Sequence, residues 1–212
     1  MNRYRKKRYY FKDIARDWLE SLKPQLKESS ISKYRNILSN YIIPTYGERE
    51  IGSITYNEVY SYSLNLLNVG GMRGKGLSPK SINGILSVMR SIIKFAFEKY
   101  GIDSPDIKDI YIKQSTRPLK VLSIEEQRKI NQYLFNDLSP CNIGILLCLY
   151  TGIRIGEVCA LRWQDINISE QYLFVHMTMQ RIQVDDHNGQ AKKTRIILLL
   201  LKDKKRGLLW RN

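Results

Sequence analysis

A long apolar stripe limits the fold more than any other feature of this chain. Ile82, Ile85, Leu86, Met89, Ile92, Ile93 and Phe97 recur at helical spacing behind Ser78-Pro79, a pair suited to the cap and first position of a helix. A helix with such a face must be covered, and the preceding residues supply the cover. Phe11, Ile14, Ala15, Trp18, Leu19 and Leu22 share one face of a segment that Pro24 ends. Ile31, Tyr34, Ile37, Leu38 and Tyr41 share a face of a second helix over about 30–42, before Pro44 and Gly47 break the chain. Thr55-Tyr-Asn-Glu58 has the spacing of a capping box and opens a third helix, through about Leu67. The expectation is a small four-helix bundle over 11–100, preceded by a basic arm at 1–10.

The rest of the chain reads differently. Residues 101–118 have weak periodicity and serve as a linker in this reading. Ser123-Ile-Glu-Glu126 is a second capping box, opening a helix that ends near Asn136. Pro140 to Tyr150 is almost wholly apolar, which predicts a buried helix, and Gly152 suits its left-handed end. A short helix follows over Ile155 to Leu161. Tyr172 to Met177 and Arg195 to Leu200 have strand patterns on either side of a polar loop at 185–190, which predicts a β-hairpin. Residues 119–202 are therefore expected to mix α and β, with 203–212 as a basic tail.

Charge narrows the partners. Thirty-five Lys and Arg against twenty Asp and Glu give a net charge of +15. That excess favours a polyanion, with nucleic acid and an anionic membrane surface the natural choices. The longest apolar run, Ile196 to Leu201, has six residues, far short of the ~18 of a membrane span. Cys141, Cys148 and Cys159 form no Cys-x-x-Cys pair, and their odd number argues for reduced thiols in a cytoplasmic protein. His176 and His187 stand alone, so no metal is expected.

One segment carries chemistry. Thr151-Gly-Ile-Arg-Ile-Gly-Glu157, continued by Leu161-Arg-Trp163 and Asp165-Ile166, sets Arg154 and Glu157 at fixed spacing after a glycine that can end a helix. A guanidinium at such a junction is suited to gripping a phosphate, because its planar fork donates two parallel hydrogen bonds and never loses its charge. In these residues, and in the order of helical bundle, linker and hairpin, the chain resembles the tyrosine recombinases of the phage-integrase family.

The resemblance implies a mainly α protein. Its parts would be an N-terminal four-helix core-binding (SAM-like) domain and an incomplete mixed α+β catalytic domain with a β-hairpin, closing on double-stranded DNA like a clamp. It implies DNA integration and recombination by metal-independent strand transesterification through a 3′-phosphotyrosyl link. No cofactor, small-molecule substrate or membrane is involved, and full-length homologues assemble as tetramers on DNA. Arg154 takes the place of the first catalytic arginine and Glu157 that of the acid supporting it. Lys202, which follows Lys193-Thr-Arg195 and the apolar run, takes the place of the hairpin lysine that protonates the leaving oxygen. The implied DNA contacts are Arg73 and Lys75 in the Gly-rich loop, Lys80 and Arg90 on the fourth helix, and Lys113 and Arg117 in the linker.

The chain departs from the family pattern after about Leu199. The proline before the hairpin lysine and the Ser-x-Arg-x-Ile-Pro beyond it are absent, and neither His176 nor His187 begins a His-x-x-Arg. None of the fourteen tyrosines lies beyond Tyr172, and Trp210 comes too early for the family's late Trp. The expectation is a truncated recombinase without its nucleophilic tyrosine, catalytically incomplete. The alternative is a DNA-binding module that competes for recombination sites without cutting. A third reading, an RNA-binding basic protein, accounts for the charge but not for the Arg154 to Asp165 constellation.

Overall fold

The structure, a computed structural model, describes residues 8–71, 74–115, 118–184, 193–201 and 206–209. It divides into two compact units, Met1–Arg117 and Pro118–Asn212.

The first unit is helical. α1 (Phe11–Leu22), α2 (Glu28–Ile37), α4 (Tyr56–Val69) and α5 (Pro79–Tyr100) are the expected helices, with a short α3 (Ile43–Tyr46) between the second and third. α2 passes into α3 through one wide π turn at Leu38–Ile42, in which the Ile43 N–H reaches the Leu38 carbonyl. The widening has a local cause: Pro44 has no N–H to donate, and its ring would strike the carbonyl one turn back in a regular helix. Thr55 and Glu58 cap α4 reciprocally, Ser78 caps α5, and Gly101 ends α5 at φ 63°.

Phe11, Ile14, Ile82, Ile85, Leu86, Met89 and Ile92 form the centre of the core, each almost fully buried. The α5 stripe drifts from its expected line at the end. Ala96 continues it and Phe97 turns outward, 60% exposed, because 3.6 residues per turn carry the buried face from Ile92 to Ala96. The stretch read as a linker also packs here. Ile107 and Ile110 are almost fully buried in the same core, and Ile112 beside them is buried too. Asn83 holds the Ile112 backbone from both sides, donating to its carbonyl at 2.9 Å and accepting its N–H at 3.0 Å.

Among its described residues, the second unit contains α6 (Ile124–Asn136), α7 (Pro140–Thr151), the single turn α8 (Ile155–Val158) and five strands. β1 (Ile166–Asn167), β2 (Tyr172–Val175) and β5 (Arg206–Leu209) form one antiparallel sheet in the order β1-β2-β5. β3 (Met177–Val184) and β4 (Lys193–Leu200) form a separate hairpin, paired from Met177↔Leu200 to Val184↔Lys193. The expected hairpin between Tyr172–Met177 and Arg195–Leu200 is thus corrected. The chain breaks strand geometry at His176, which frees 172–175 for the first sheet and gives β4 the next eight residues as partner. α7 also differs from expectation. Leu146 is its one buried residue, while Ile143, Ile145, Leu149 and Tyr150 are exposed. An all-apolar helix signals burial without saying which element covers it.

Candidate active site

The junction between α7 and α8 is built from short-range chemistry. Gly152 takes a left-handed φ of 69° and returns its N–H to the Cys148 carbonyl at 3.0 Å, which stops α7. The Thr151 hydroxyl donates to the Leu147 carbonyl and accepts the Ile153 N–H at 3.4 Å. Arg154 is then extended, with φ −76° and ψ 148°, at the N-cap of α8.

Glu157, one turn on, closes this arrangement. One carboxylate oxygen accepts the Arg154 backbone N–H at 3.1 Å and the other accepts from the Arg154 guanidinium at 3.1 Å. The Glu157 side chain is 3% exposed and that of Arg154 is 73% exposed. A buried carboxylate is stable only when paired and hydrogen-bonded, and Arg154 supplies both. The guanidinium has five N–H donors and the pair uses Nη1, so much of the fork faces outward from a fixed base. Such a group can take two oxygens of a phosphate.

Gly156 sets where this turn lies. A Cβ there would stand 2.7 Å from Thr178 Oγ1 and 2.8 Å from the Met179 carbonyl oxygen. Only the bare backbone allows α8 to lie so close to β3. The first turn beyond α8 repeats the device: Asp165 accepts the Arg162 N–H at 3.0 Å and is 6% exposed. Its other oxygen lies 3.6 Å from His176 Nδ1, and the His176 ring stacks on Phe174 at 5.3 Å. His176 is therefore a structural partner of Asp165 at the break between β2 and β3. Gly156, Asp165 and this use of His176 went unassigned in the sequence reading. The repeated spacing Arg154-x-x-Glu157 and Arg162-x-x-Asp165 is the signal that could have found Asp165.

The remaining expected residues are dispersed. Lys202 lies outside the described residues, just beyond Leu201, whose N–H donates to the His176 carbonyl at 3.0 Å. Arg73 and Arg117 also lie outside them. Lys75, Lys80 and Lys113 are exposed. Arg90 is half-buried, and its Nη1 donates to backbone carbonyls of the 107–110 segment, closest to Ile110 at 3.2 Å. Its guanidinium holds that segment on α5. No helix among the described residues is long and apolar enough to cross a membrane.

Comparisons with known proteins bear on the family and the fold. Residues 10–65 match the family described as phage integrase, N-terminal SAM-like domain, and residues 120–205 match the phage integrase family. The tyrosine recombinase XerA of Pyrococcus furiosus is 31% identical over 104 residues, covering 49% of this chain and 35% of its own length. Among solved structures, the Tn1549 transposon integrase in complex with a circular intermediate DNA aligns at a TM-score of 0.65 and 16% identity. That alignment covers 93% of this chain and 61% of that one. A lambda integrase tetramer bound to a Holliday junction aligns at 0.63 and 18% identity, covering 86% and 49%. At such identities the structures show a shared fold. The chain spans less than two thirds of the length of the curated relatives it matches. With both domains matched in order, and the Arg154 to Asp165 segment inside the second match, this chain belongs to the phage integrase family of tyrosine recombinases.

Proposed function

We propose that this chain binds double-stranded DNA and acts in DNA integration and recombination in the cytoplasm, with Arg154 seated on a backbone phosphate. The observation that carries this reading is the Arg154–Glu157 pair: an exposed guanidinium whose base is fixed by a buried carboxylate. During phosphodiester transesterification, negative charge builds on the non-bridging oxygens. A positioned fork stabilises that charge more than it stabilises the ground state, which is the condition for catalysis rather than mere binding. Glu157 keeps the fork from collapsing into solvent, so little reorganisation is needed when the phosphate arrives. Lys202 is the proposed acid for the leaving oxygen. Lys75, Lys80 and Lys113 are the proposed phosphate contacts outside the site, and a tetramer is the proposed assembly on DNA.

A second reading, occupation of recombination sites without cutting, draws on the same exposed guanidinium, which can grip a phosphate whether or not a strand is cut. A nicked suicide duplex separates the two. A covalent protein–DNA adduct supports strand cutting by this polypeptide, and binding without an adduct supports occupation alone. Failure to bind duplex DNA at low salt would overturn both.

A further inference from the structure

We propose that Asn83 and Arg90 are positioning residues that set the length of the tether between the two units, by holding the 103–112 segment down on α5. The inference rests on the reading that both units engage one DNA duplex, and it concerns reach rather than the Arg154 site.

The segment is built to lie flat. Asp106 turns it, one carboxylate oxygen accepting the Lys108 N–H at 3.0 Å and the other pairing with Lys108 Nζ at 3.0 Å. The Ile110 N–H returns to the Ile107 carbonyl at 3.3 Å. Ile107, Ile110 and Ile112 go into the core, and α5 grips the backbone that joins them. Arg90 Nη1 donates to the carbonyls of Ile107, Lys108 and Ile110 at 3.4, 3.5 and 3.2 Å. Asn83 takes both polar groups of the Ile112 backbone. Seven positions separate Asn83 from Arg90, two turns of one helix face, so the two side chains act along the same line. With Nη1 directed at neutral carbonyls, Arg90 serves the segment rather than a phosphate.

Length is what this grip changes. With Ile112 held, residues 113–123 lead to Ile124, the first residue of α6. Those eleven residues span at most about 40 Å. Without the grip the tether would begin at residue 103, after Ile102, whose N–H returns to the Ala96 carbonyl at 3.4 Å. Twenty-one residues would then span at most about 75 Å. When two binding units are linked, the second engages at an effective concentration that falls roughly as the −3/2 power of tether length. Near-doubling the tether therefore lowers duplex affinity roughly two- to threefold. No phosphate contact is lost in this, so the salt dependence of binding keeps its slope.

The test measures hydrogen exchange at the Ile112 amide of the full chain, with duplex-DNA affinity and its salt slope in parallel. In Asn83→Ala, and more so in Asn83→Ala combined with Arg90→Gln, the Ile112 amide should exchange faster while the core amides of α5 stay protected. The double variant should lose affinity roughly two- to threefold, and Asn83→Ala, which changes no charge, should keep the parent's slope. A Gly/Ser insertion of about ten residues after Gln114 leaves the segment docked and should give the same loss. That insertion decides the matter if the double variant fails to fold. An insertion that leaves affinity at the parent's level overturns the proposal. So does a slope shallower by roughly 0.9 in Arg90→Gln alone, which would make Arg90 a phosphate contact. A parent that binds no duplex DNA sinks the DNA reading by itself, and small-angle scattering of the free chain then decides. The double variant and the insertion should both have a larger maximum dimension than the parent, and equal dimensions overturn the proposal.

Discussion

Glu157 commits both oxygens to Arg154, one to its backbone and one to its guanidinium. Glu157→Gln keeps one acceptor oxygen and must forfeit one of the two bonds, whereas Glu157→Ala forfeits both. Truncation in a buried setting should lower the stability of the second unit by about 1.5–3 kcal/mol, measured by denaturant unfolding. Both variants should also weaken duplex-DNA binding, since the fork loses its anchor; unchanged affinity in Glu157→Ala would show that Arg154 needs no anchor. Glu58 gives a residue-scale prediction of another kind. The Arg49 guanidinium, followed by the Thr55 backbone N–H and the Thr55 hydroxyl, holds its carboxyl at about 2, below the ordinary 4.5. A carboxyl depressed on folding stabilises the fold fully above its ordinary value. That stabilisation fades as pH falls from about 4.5 towards about 2. Melting temperature followed across that window should fall less steeply in Glu58→Gln than in the parent, and parallel curves would contradict the assignment.

At the scale of elements, the packing of α8 on β3 depends on one missing methyl. Gly156→Ala places a carbon 2.8 Å from the Met179 backbone oxygen, which cannot rotate away as the Thr178 hydroxyl can. The turn must shift, with a stability loss of about 1–3 kcal/mol and a displaced Arg154, both visible in unfolding curves and DNA titrations. Elements of this kind show what a sequence discloses. The capping boxes at Thr55 and Ser123, the Ser78-Pro79 start and the Gly152 stop were legible because cap chemistry acts over three or four residues. Strand partners were not. Met177–Val184 pairs with Lys193–Leu200, and the interruption at His176 depends on Asp165, eleven positions back. α7 and Phe97 misled for a related reason: apolar residues record a tendency to be covered, and the covering element lies elsewhere in the chain.

Across the whole molecule, most of the stretch read as a linker belongs to the first unit. Residues up to Ile112 pack on the helical unit through Ile107, Ile110 and the Asn83 clamp. Ile110→Ala should therefore cost that unit about 2–5 kcal/mol, as a core truncation does, where a residue of a free linker would cost almost nothing. Weak periodicity hid this strap, since a segment pinned by three isoleucines and one asparagine shows no regular spacing. The candidate site was legible to the extent that it is local: Arg154 and Glu157 stand within one turn, while Gly156 and His176 act through contacts with other elements. The most direct test of the central claim, that Arg154 on its Glu157 anchor holds a DNA phosphate, is the salt dependence of duplex-DNA affinity in the parent and in Arg154→Ala. The parent should show log affinity falling linearly with log salt, by roughly 0.9 per phosphate neutralised, and Arg154→Ala should bind more weakly with a slope shallower by about one such step. Identical affinity and slope in the two proteins would contradict the account.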